Sequence, residues 1–168
     1  MGNNVREVRA PEDLIMITPE LRKTIEDKAS EFQIDANLIE AFCMTESSGN
    51  PNAVRYEPAF YRKYIVPMNL PESEGLGRAT SYGLMQIMGE VARELGFTGQ
   101  FMELFDPATG LEYALKHLKH FVLKYQAQGL DYAIASYNAG SPRVGDDGKF
   151  VNQQYVDTVH SYWNKITG

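Results

Sequence analysis

Between Asp106-Pro107 and Gln128-Gly129 the apolar residues Leu111, Leu115, Leu118, Val122 and Tyr125 recur at intervals of four and three. That period is one face of an α-helix, and a stripe so long must be covered by other elements along its whole length. Asp106 is a natural cap, Pro107 fits the first turn where its missing N–H is not needed, and Gly129 is a stop signal. This segment is therefore expected to be the central helix of the fold.

The same grammar recurs along the chain. Thr18-Pro19-Glu20 reads as a helix start, followed by Leu21, Ile25, Ala29 and Phe32 at helical spacing. Asp35 can cap a second helix carrying Ile39, Phe42 and Cys43, stopped by Gly49-Asn50-Pro51. Further helices are expected from Gly89 to Leu95 and from about Asp131 to Asn138. A turn-rich stretch from Gly140 to Gly148 precedes a last helix bearing Tyr155, Val159, Tyr162 and Ile166. No strand pattern of convincing length is present. The chain has 168 residues, 43% of them hydrophobic, with no repeat or linker to divide it, so a single, mainly α domain over residues 1–168 is expected.

Composition narrows the function classes. Cys43 is the only cysteine, which excludes an internal disulfide and a cysteine-based zinc site. A formal charge of −6 argues against nucleic acid, whose binders neutralise phosphates with clustered Lys and Arg. No apolar run is long enough to span a bilayer, so no membrane insertion is expected. Met1 to Asp13 is too polar for a signal-peptide core, and Arg6 spoils the myristoylation pattern that Met1-Gly2 begins. His117 and His120 lie three apart on the central helix with His160 on another, which reads as a solvated face and not a metal site. Glu40 and Glu90 read as solvated helix positions. No metal or cofactor is expected, and the chain is expected to be a monomer.

Two features remain unexplained by packing. Val54 to Ser81 lacks a clean period yet holds Tyr56, Phe60, Tyr61 and Tyr64. A connection this long and this aromatic is expected to form a short helix from about Pro58 that walls one end of a groove, with Tyr61 and Tyr64 facing the ligand. Glu46 lies seven, four and three positions after Ile39, Phe42 and Cys43, on the apolar face of its helix. Burial and the negative end of the helix dipole both disfavour its charged form. A carboxyl still protonated near neutrality is what a glycosidase needs to protonate a leaving oxygen. On position alone, a buried Glu bonding to a neighbouring helix is the commoner fate.

The surrounding motifs change that balance. Glu46-Ser47-Ser48-Gly49-Asn50-Pro51-Asn52-Ala53 is followed by Ser81-Tyr82-Gly83-Leu84-Met85-Gln86-Ile87 and by Tyr137-Asn138-Ala139-Gly140. This ordered set, over about residues 34–163, resembles the lytic transglycosylase family, of the soluble, goose-lysozyme-like kind. The resemblance implies a lysozyme-like domain in which the long aromatic loop forms part of the substrate groove. It implies Glu46 as sole acid and base, with Ser47 as hydrogen-bonding support. It implies that Gly83, Leu84, Met85, Gln86, Tyr137, Asn138 and Tyr155 line the groove for peptidoglycan glycan strands. The expected reaction cleaves the bond between N-acetylmuramic acid and N-acetylglucosamine by intramolecular transglycosylation, giving 1,6-anhydromuramyl ends.

A lysozyme-like hydrolase stays open, because Glu57 could serve as a second acid that positions water. A salt bridge to Arg55 or Arg62, or a helix cap, is the favoured reading of that residue. A non-catalytic sugar-binding or structural module is disfavoured by the presence of Glu46. With no export signal legible, the chain is expected to reach the bacterial wall as phage lysis or virion-associated enzymes do.

Overall fold

The computed structural model describes residues 17–168. The polar start Met1 to Asp13, with its Met1-Gly2 pair, lies outside the described residues. The elements are α1 (Pro19–Phe32), α2 (Ala36–Ser47), β1 (Val54–Tyr56), α3 (Pro58–Phe60), α4 (Glu72–Arg78), β2 (Thr80–Tyr82), β3 (Ile87–Met88), α5 (Gly89–Glu94), α6 (Pro107–Lys124), α7 (Leu130–Ala139) and α8 (Gln153–Thr167). A mainly helical, lysozyme-like domain is what the sequence predicts and what the structure has.

The helix starts form through the capping residues read from the sequence. Thr18 accepts the Leu21 N–H at 3.2 Å, Asp35 that of Asn37 at 2.7 Å, and Asp106 that of Thr109 at 2.9 Å. The central helix α6 packs against α1 and α7, while α8 lies along α2. Their shared core contains Ile25, Ile39, Phe42, Leu115, Leu118 and Val159, all fully buried. Each such side chain contributes about 1.5–3 kcal/mol by leaving water.

Three expectations about the elements need correction. Helix α6 stops at Lys124 and not at Gln128-Gly129, because Gly129 takes φ 112 to open α7 and a turn fills the interval. A small antiparallel sheet exists, in order β1-β2-β3, with Arg55 opposite Ser81 and Ser81 opposite Met88. Its strands run three, three and two residues, too few to display alternation. The segment from Val54 to Ser81 is structured and not a loop. It holds β1, then α3 starting at Pro58 as expected, a π-helical turn (Tyr61–Ile65), a short 3-10 turn (Val66–Met68) and α4.

Helix α4 carries Gly75 and Gly77, both poor helix formers, and exists because of what it packs on. A Cβ on Gly77 would lie 2.1 Å from the Phe101 ring, and one on Gly89 at the start of α5 would lie 2.2 Å from the Gly77 carbonyl oxygen. The two helices thus touch backbone to backbone. Glu90 is buried there, contrary to its reading as a solvated residue, and pairs with Arg78 at 3.0 Å. Arg78 and Arg93 also converge on Glu74, each at 2.9 Å, holding its carboxyl below the usual range. Glu40, also read as solvated, is partly buried against Arg22 at 2.6 Å. Among the described residues no helix is long and apolar enough to cross a membrane.

Candidate active site

A cleft of about 420 Å³ opens where the end of α2, the small sheet, α3 and its π turn, and the facing sides of α6 and α7 meet. Glu46 reaches it from the last turn of α2, just after the fully buried Phe42 and Cys43. The Tyr155 hydroxyl, delivered from α8, donates to Glu46 Oε1 at 2.5 Å. Among the described residues the other carboxylate oxygen, Oε2, has no protein partner. Burial raises the pKa of Glu46, while the Tyr155 donor and the positive charge of Arg55 pull it down; burial prevails. Burial and the neighbouring Glu46 charge push the Tyr155 phenol far up, so it stays a donor.

The turn between β2 and β3 supports this carboxyl. Gly83 takes φ 74 and Gln86 φ 50, and a Cβ on Gly83 would lie 2.9 Å from the Leu104 carbonyl oxygen, so only glycine fits there. The Ser47 hydroxyl reaches the Leu84 carbonyl at 2.8 Å and that of Cys43 at 3.0 Å, tying the end of α2 to this turn. Tyr137 donates to the Met85 carbonyl at 2.7 Å. Gln86 Nε2 donates to the carbonyls of Ala53 and Gly83, both at 3.0 Å. The turn is thereby braced from α2, α7 and the segment before β1.

Of the residues that the sequence places on the groove, Glu46, Gln86, Tyr137 and Asn138 do line the cleft. Asn138 sits exposed at its rim and accepts from Asn152 at 3.0 Å. Tyr155 stands behind the carboxyl and reaches the cleft through it. Ser47, Gly83, Leu84 and Met85 do not line the cleft. Leu84 and Met85 are buried core residues, because the two left-handed positions fold the turn so tightly that their side chains pack inward. Glu57 also stays off the cleft, paired with the Arg55 Nε at 2.5 Å. Among the described residues lining the cleft, Glu46 is the only acid.

The aromatic wall differs in one residue from expectation. Phe60 and Tyr64, with ring centroids 4.9 Å apart, face the cleft, whereas Tyr61 packs beside Tyr56 at 6.1 Å and over Gly75. Four-residue spacing across the π turn groups Phe60 with Tyr64 and leaves Tyr61 on another face. His117 is likewise not on a solvated face: it lines the cleft against the Tyr137 ring at 5.3 Å, and burial lowers its pKa to about 4. His120 is exposed, as expected. Among the described residues no group of three or more His, Cys, Asp or Glu side chains could hold a metal ion. Arg55, Ser81 and Met88, which face one another across the three strands, form a cleft wall that the sequence did not reveal.

The transglycosylase SLT domain family matches residues 23–157 of the chain. The chain belongs to this family. No curated protein matches it at a significant level. The SLT domain runs from α1 into the first turns of α8 and takes in Glu46, the β2–β3 turn, Tyr137 and Tyr155. SLT domains are peptidoglycan lytic transglycosylases, lyases of glycosidic bonds, and the activity of this protein is of that kind.

Proposed function

We propose that this SLT domain cleaves the β-1,4 bond from N-acetylmuramic acid to N-acetylglucosamine with Glu46 as its single acid and base. The observation that carries the reading is a half-buried carboxyl, one oxygen held by Tyr155, standing as the only acid among the described cleft residues. The raised pKa keeps a proton available for the leaving oxygen. In the first step Glu46 gives its proton to the glycosidic oxygen as the bond from muramyl C1 to that oxygen breaks. The muramyl C6 hydroxyl then bonds to C1 and returns its proton to Glu46. Atoms balance without water, and the product is a 1,6-anhydromuramyl end.

A nucleophile already tethered to the reacting sugar removes the need for a second carboxylate, because proximity replaces what a hydrolase obtains from its second acid. Tyr155 positions the Glu46 carboxyl, and Gln86, Asn138 and the Phe60–Tyr64 pair offer polar and stacking contacts for the sugars. The Arg55 pairing of Glu57 supports this reading over one in which Glu57 orients water.

Activity on purified sacculi tests the assignment. Glu46→Gln keeps the shape and accepts the Tyr155 hydrogen bond but has no proton to give, so turbidity clearing should fall at least about 100-fold. Glu57→Gln should retain most of it. Clearing that survives the first change, or is lost equally with the second, overturns the single-acid reading.

A further inference from the structure

Arg55 occupies the middle of β1, opposite Ser81 in the register, while its neighbours Val54 and Tyr56 are exposed on the other side of the strand. Its side chain lines the cleft and is 66% exposed. Glu57 takes its Nε, and among the described residues neither Nη group has a hydrogen-bond partner. The ion pair thus orients the guanidinium and leaves the fork free, the arrangement that suits bidentate capture of a carboxylate. In a chain of net charge −6 this is the one Lys or Arg among the described residues that line the cleft, beside a His117 held neutral by burial.

The N-acetylglucosamine units of a glycan strand are uncharged and give such a group nothing to pair with. The muramyl units differ from them by an O3 side chain that carries carboxylate, either on the lactyl ether itself or on the peptide attached to it. We propose that Arg55 is a specificity-determining substrate contact that binds a carboxylate on the muramyl O3 side chain. The proposal rests on the cleft being the glycan groove. It assigns to Arg55 the distinction between muramyl and glucosaminyl sugars, a task for which the acid Glu46 has no suitable charge.

Binding to the full chain carrying Glu46→Gln tests it, since that background removes turnover and the influence of Arg55 on the Glu46 proton. Three tetrasaccharides serve as probes: neutral chitotetraose, a muramyl glycan with free lactyl groups, and the same glycan with its peptides. Adding Arg55→Gln should weaken the muramyl glycan that carries the bound carboxylate about five- to tenfold and chitotetraose less than twofold. Arg55→Lys, which keeps the charge and loses the fork, should fall between. Raising the salt should shrink the preference of the Arg55 protein. A loss seen with the free-acid glycan assigns the contact to the lactyl group, and a loss confined to the peptide-bearing one assigns it to the peptide. An equal change with all three probes overturns the proposal while leaving the groove intact. Failure of the Arg55 protein to bind any of them overturns the groove and the proposal together.

Discussion

At the scale of single residues, the carboxyl of Glu46 is governed by two opposed neighbours, and each can be varied. Burial raises its pKa and the Tyr155 hydroxyl, which bonds best to the charged form, lowers it. Tyr155→Phe therefore removes a stabiliser of the carboxylate. If the protonated form is the active one, the alkaline limb of the kcat/KM profile moves to higher pH; an unmoved limb, or one displaced downward, contradicts the account. The same shift makes a stability prediction. A folded pKa above the ordinary value of 4.5 adds no penalty below that value. The penalty grows as pH rises from there to the folded pKa, because the unfolded carboxyl ionises freely while the buried one resists. Glu46→Gln should leave Tm unchanged in acid and raise it or leave it level at neutral pH, and a large neutral fall would mark Glu46 as a structural residue. The place of Glu46 on an apolar helix face was legible from its spacing to Ile39, Phe42 and Cys43. Its pairing with Tyr155, 109 positions away, was legible only through the family motif. Arg55 was hidden because a three-residue strand has no readable period.

At the scale of elements, the segment between Val54 and Ser81 shows what local sequence does and does not encode. Pro58 announced α3, since a proline in the first turn costs nothing there. Helix α4 was unreadable because its glycines lower helix propensity, and their reason lies in α5 and Phe101, outside the segment. The contact is close enough to test. Gly89→Ala places a Cβ 2.2 Å from a backbone carbonyl oxygen that no side-chain rotation can move away. We expect a loss of about 1–3 kcal/mol in urea unfolding, as for other overpacked sites, with the aromatic wall displaced and glycan affinity lowered. A neutral Gly89→Ala would mean that α4 and α5 are free to separate and that the Glu74, Arg78, Glu90 and Arg93 ion pairs alone join them.

For the whole molecule, the division of labour follows the layers. The core of α1, α2, α6, α7 and α8 was legible because long periodic helices carry their own evidence, and it holds the acid and its tyrosine. Leu118, fully buried on α6, belongs to this layer, and Leu118→Ala should cost about 2–5 kcal/mol in urea unfolding. An effect below 1 kcal/mol would deny α6 its central place. The small sheet and the helical segment inserted between its strands supply the opposite wall of the cleft, with the aromatic pair and Arg55. That wall was legible only as an unexplained abundance of tyrosine and phenylalanine, since short strands and glycine-bearing helices take their form from contacts distant in sequence.

The claim on which the account turns is that the nucleophile belongs to the substrate and that Glu46 alone handles the proton. Mass spectrometry of the muropeptides released from purified sacculi reads this directly. The account predicts 1,6-anhydromuramyl ends as the main product, each lighter by one water than the end a hydrolase leaves. A digest dominated by reducing muramic acid ends would contradict it, because water would then have been the nucleophile and a second base would have to orient it.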